Sequence, residues 1–270
     1  GSGSMSLHDE YARITPWELA FVSDEDARKF VSSVQKESEG RGADPQILES
    51  FLTMASVDQF ILGLEGAESE EGASMRFGGL AFHLYHFTTE SCPLYLLTVE
   101  AARYMVGGRP PGSPALPSAS GYLQLPQHFF WTGVASSGAS QESIDGIFWT
   151  ATSGGLLHTL LVTGVRPDRP GLGVIPLPPA PLNDAPIWLD LEARGTEDDF
   201  SISLPGGELD GLHGMSTAGE VFKLLARIFA YTSNFQGRLE AEAPHKGEET
   251  PEPSCLPYTR IGLGVRGKLC

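Results

Sequence analysis

IDGIFWTATSGGLLHTLLVTGV, running from Ile144 to Val165, reads as two strands joined through Ser153, Gly154 and Gly155. Small turn residues between two β-branched and aromatic runs are the signature of a hairpin. Side chains alternate along a strand, so Phe148 and Trp149 face opposite ways and both faces of this hairpin carry bulky apolar groups. Such a hairpin belongs inside a sheet, with helices expected over one face and further strands or the C-terminal tail over the other. Similar runs flank it at Gly121 to Leu125, His128 to Val134, Leu172 to Leu177, Ile187 to Ala193 and Phe200 to Leu204. Their short spacing predicts antiparallel neighbours. The fold class that follows is α+β: a mostly antiparallel sheet of about seven to nine strands, with N-terminal helices, one buried helix and a C-terminal amphipathic helix.

Upstream, Thr15, Pro16 and Glu18 spell a capped helix start, and Ser23 followed by Asp24, Glu25 and Asp26 spells a second. Asp44 and Pro45 open a third helix whose apolar stripe reaches Leu64, and the acidic run Glu65 to Glu71 reads as solvated. Phe77 to Phe87 reads as a strand, and Pro93 to Val106, apolar on nearly all sides, as a helix buried between layers. The fifteen residues from Gly107 to Gly121 are rich in Gly, Pro and Ser and form a candidate lid. The prolines between Pro176 and Pro186 read as a stiff crossover. Thr217 and Glu220 cap a last helix, with Val221, Leu224, Leu225, Ile228 and Phe229 on its buried face and Lys223 and Arg227 largely on its exposed side.

The segment from Cys255 to Cys270 carries three basic residues and no acidic ones in a chain of formal net charge −16. Within it Ile261, Leu263 and Val265 alternate with Arg260, Gly262, Gly264 and Arg266, the period of a strand with one apolar face. The preceding residues 240–254, rich in Glu and Pro, read as an acidic linker. The resulting organisation is Gly1 to Ser4 as a cloning scar, residues 5–239 as one α+β domain (helical 15–64, sheet-rich 77–205, helix 217–232), the linker 240–254 and a basic tail strand 255–270.

Eighteen basic against thirty-four acidic residues argue against nucleic-acid phosphates or anionic lipid as partners and favour a basic protein surface or the chain's own tail. No stretch approaches the roughly 20 apolar residues that cross a bilayer, and no signal peptide follows Met5, so a cytoplasmic location is expected. Cys92, Cys255 and Cys270 show neither zinc-knuckle spacing nor a disulfide framework, and reduced thiols are expected.

Reactive chemistry is sparsely signalled. His158, on a strand face with Leu156, Leu160 and Val162, and His128, beside Phe129, Phe130 and Trp131, are the candidate general bases. His83 and His86 have a helical metal-ligand spacing, but on a strand they would face opposite ways. Gly262, Gly264 and Gly267 have the spacing of a dinucleotide fingerprint without a following helix, and no phosphate-binding loop occurs, so no cofactor is implied. The leading expectation is a non-catalytic binding or assembly protein whose C-terminal strand docks on a sheet edge, in cis or in trans, so that a protein partner or self-association is engaged through the tail. Its binding residues are Arg260, Ile261, Leu263, Val265 and Arg266. The alternatives are a hydrolase with a histidine base in a pocket beside the loop 107–121, and a small-molecule carrier lined by Trp131, Trp149 and Trp188.

Overall fold

In the computed structural model, residues 10–41, 70–108, 112–132, 142–164, 172–184, 213–215 and 218–264 are described. Their main sheet has eight strands: β1 (Leu94–Leu97), β2 (Ser120–Gln124), β4 (Ile144–Ala151), β5 (Leu156–Thr163), β6 (Gly173–Pro176), β7 (Ala180–Pro181), β9 (Leu239–Glu242) and β10 (Tyr258–Ile261). The order is β6-β5-β4-β2-β1-β10-β9, with β7 also on β5. A separate pair joins β3 (Phe130–Thr132) to β8 (His213–Met215). The main sheet is mixed and not purely antiparallel: β1 runs parallel to both β2 and β10, while its other pairings are antiparallel. The parallel step from β1 to β2 is a crossover through a helix.

Helices cover both faces. Phe148 joins the apolar cluster under α1 (Pro16–Ala20), α2 (Asp24–Arg41) and α3 (Glu70–Thr89). Trp149 joins the opposite cluster under α4 (Val99–Gly107) and α5 (Ala218–Asn234). The alternation predicted for the hairpin therefore divides two cores. The expectation of strands or tail over one face is corrected, because the C-terminal strand lies in the plane of the sheet.

Two elements exchange character. Phe77 to Phe87, expected as a strand, lies in helix α3, where Leu80, Ala81, Phe82, His83, Leu84, Tyr85 and Phe87 are buried. A helix packed between a sheet and other helices loses the polar stripe that reveals its period. Pro93 to Val106, expected as one helix, divides at Thr98 into β1 and α4. The Thr98 hydroxyl accepts the Ala101 amide at 3.2 Å and starts the helix. A four-residue strand between two parallel neighbours is apolar on both faces, so periodicity cannot separate it from a buried helix.

At α5 the expected stripe is buried, yet Lys223 and Arg227 are buried as well, at 1% and 0% exposure. Arg227 donates to the Met105 carbonyl at 2.7 Å, placing a cation at the C-terminal end of α4. The helix is enclosed on all sides rather than lying half in solvent. The third helix of 44–64, the strands at 187–193 and 200–204, and Thr217 lie outside the described residues.

Candidate functional site

β10 sits between β1 and β9 of its own chain, with Leu97 beside Ile261 and Arg260 beside Glu240 in register. Tyr258 enters the cluster under α1 to α3, and Ile261 the cluster under α4 and α5. At the end of the strand two successive carbonyls are taken up by neighbouring elements. The Thr98 amide donates to Ile261 at 3.1 Å, and the Tyr231 hydroxyl to Gly262 at 2.5 Å. Leu263 packs against the second cluster, Arg260 is half-buried, and Val265 and Arg266 lie outside the described residues. The segment before β10 is pinned to the N-terminal strand segment: Ile14 donates to Glu252 and Ser254 to Ala12, each at 2.8 Å.

Beside β10 lies a cavity of about 420 Å³. Tyr95 of β1 and Thr259 of β10 line it from the sheet, and Thr232, Ser233 and Gln236 from the end of α5. Leu116 and Pro117, from the predicted lid loop, close another side. Tyr95 rests against Trp149, ring centres 5.4 Å apart, and Trp149 donates its indole hydrogen to the Ser118 carbonyl at 3.0 Å. Three of the hydroxyl protons in this cavity, those of Tyr95, Thr232 and Ser233, are already committed. Tyr95 donates to Ser118 at 3.4 Å and Ser118 to the Ser120 carbonyl at 2.8 Å. Thr232 donates to the Phe229 carbonyl at 3.2 Å, and Ser233 reaches the same carbonyl at 2.7 Å. Burial raises the Tyr95 phenol, which stays protonated. Among the described residues no histidine lines this cavity.

The histidines lie elsewhere. His83 and His86 are on helix α3, which removes the reason given for separating them, and His83 instead bonds Thr150 of β4 at 2.9 Å. Thr150 is in turn 3.1 Å from the Ser120 hydroxyl. His158, half-buried, lies across the sheet face from the cavity, its ring 5.1 Å from Phe82, which also contacts His83 and His86. Burial first, then the neighbouring His158 and His86, holds His83 well below the ordinary histidine range. Among the described residues no group of three or more His, Cys, Asp or Glu is placed to hold a metal ion.

His128 does not open a strand. It occupies the third position of a turn closed by the Phe129 amide on the Pro126 carbonyl, with φ of 61°. A non-glycine residue there is strained. Its ring stacks on Trp131, and burial followed by the Arg13 charge lowers its basicity. Arg13 itself is a buried anchor that sequence reasoning missed. Its guanidinium donates to the Leu125 carbonyl at 2.8 Å and to Asp145 at 3.2 Å, while Tyr122 donates to the other Asp145 oxygen. Gln124 clamps the Arg13 backbone, accepting its amide at 2.7 Å and donating to its carbonyl at 3.0 Å. A lone arginine before a helix cap carries no sequence signal of such burial.

The described cysteines are poor nucleophiles. Burial, then Asp24 and Glu18, pushes the Cys92 thiol up to about 12, and burial with Glu18, Glu252 and Asp24 raises Cys255. Cys270 and Trp188 lie outside the described residues. No helix among the described residues is long and apolar enough to cross a membrane.

No protein family matches the chain, and no curated protein sequence matches it. Among solved structures, a crystal structure of AcrVA2 is similar at a TM-score of 0.33 and 14% identity, covering 62% of this chain and 56% of that one. The chain thus spans little more than half of that structure's length, and a likeness at this level carries no argument about fold or function.

Proposed function

We propose that this is a non-catalytic binding or assembly protein whose C-terminal strand docks in cis, completing the sheet that it presents to a protein partner. The observation that supports the reading is the register of β10 between β1 and β9, which buries Ile261 to 1% exposure. A strand bonded on both sides within its own chain is a structural member rather than a free arm. With β10 inside, the outermost strand at this side of the sheet among the described residues is β9, carrying Glu240 and Glu242 on a chain of net charge −16. A basic partner surface is the electrostatic complement. Against the hydrolase reading, no histidine among the described residues lines the cavity beside the Gly/Pro-rich loop, and His158 lies on the other face of the sheet.

The test is removal of residues 254–270, followed by thermal melting, light scattering over a dilution series and add-back of a peptide spanning 254–264. Docking in cis predicts a monomeric full-length chain, a truncated chain that melts lower or not cooperatively, and recovery with the peptide. An unchanged melt would overturn the reading. A full-length dimer that truncation converts to a stable monomer would replace it with exchange in trans.

A further inference from the structure

We propose that the cavity between β1, β10 and the end of α5 binds an uncharged polyhydroxy compound of monosaccharide size. Its volume, about 420 Å³, lies in the range of small-molecule sites. The chemistry of its lining then narrows the class. Tyr95, Thr232 and Ser233 each spend their hydroxyl proton inside the protein, on Ser118 and on the Phe229 carbonyl, and so offer the cavity lone pairs. Among the described residues the Thr259 hydroxyl and the Gln236 carboxamide make no side-chain hydrogen bond, and each can both accept and donate.

A lining dominated by acceptors selects a ligand rich in O–H or N–H donors. It gives an anion little to bind, on a chain that already carries −16. Among the described residues no Asp, Glu, Lys, Arg or His lines the cavity, so from these residues a charged ligand of either sign would lose hydration without gaining a counter-ion. Leu116 and Pro117 add an apolar wall, and the Tyr95 ring is held in place by Trp149. A compound with several hydroxyl donors around one C–H face meets each of these conditions. Thr259 reaches the cavity from β10, and the site requires no protein partner.

Saturation-transfer NMR and calorimetric titration of the full chain with glucose, galactose and mannose test it, with glucuronate and glucosamine as charged counterparts. Two variants probe the site: Thr259→Val, which deletes one hydroxyl at nearly constant shape, and Leu116→Trp, which fills the cavity. Melting curves confirm that each remains folded. At least one neutral sugar should bind, and each charged counterpart about tenfold or more weaker. Thr259→Val should weaken binding about three- to tenfold, the worth of one hydrogen bond, and Leu116→Trp should abolish it. Absence of neutral-sugar binding, preference for a charged counterpart, or binding indifferent to a folded Leu116→Trp protein would each overturn the proposal.

Discussion

Tyr231 of α5 donates its hydroxyl hydrogen to the carbonyl of Gly262, 2.5 Å away and just past the end of β10, and both residues are buried. This bond joins α5 to the strand that completes the sheet. Tyr231→Phe keeps the ring and its contact with Phe235 but leaves the carbonyl without its donor. A buried acceptor left unpaired costs about 1–3 kcal/mol. Urea denaturation should show a loss of that size with an unchanged m-value.

Asp145 receives both Arg13 and Tyr122, and its removal strands a cation at 3% exposure. Breaking one side of a buried pair costs about 3–5 kcal/mol. Asp145→Asn should therefore lower the midpoint of unfolding more than Tyr122→Phe, which removes a neutral donor. A ranking in the opposite order, measured by the same melts, would show that the guanidinium is satisfied without the carboxylate.

Acid should weaken the fold through His83. Burial and the two neighbouring histidines hold it well below the 6.5 it takes when unfolded. The unfolded chain therefore binds this proton first as pH falls. The contribution is fully present above that value and declines below it, by up to about 1.4 kcal/mol per pH unit until the folded value is reached. His128, also lowered, acts in the same direction. In His83→Gln, stability measured between pH 7 and 5 should lose about one proton's worth of slope. An unaltered slope would mean that His83 ionises equally in both states.

Gly146 faces the backbone of β2, where an added Cβ would come 2.6 Å from the Leu123 carbonyl oxygen. Neighbouring strands cannot separate without losing their ladder. Gly146→Ala should cost about 1–3 kcal/mol, whereas Gly154→Ala, with open space around its Cβ, should alter the melt little.

The hairpin from Ile144 was legible because a Gly-rich turn and period-two alternation agree. The nature of α3 was not. Its aromatic residues are buried on nearly every side, and a helix without a wet face resembles a strand. Arg227 misled for the related reason that charge in sequence reports a preference for solvent, not the partner a buried carbonyl supplies. The cavity was only half readable: the loop 107–121 announced itself by composition, but Thr259 and Ser233 meet through long-range packing with no local mark. Arg13 likewise becomes distinctive only beside Asp145 and Gln124.

The placement of β10 also has a kinetic meaning. Its partner β1 is separated from it by most of the chain, so their pairing closes a very long loop and belongs to the slow class of folding events. Until it forms, β1 has one bare edge, with Leu94, Leu96 and Leu97 beside it, and β9 lacks the neighbour it pairs with. A bare apolar edge is a template for wrong pairing between molecules. The same strand that steadies the native sheet thus sets the interval during which the chain is most open to aggregation, and refolding yield should fall as protein concentration rises.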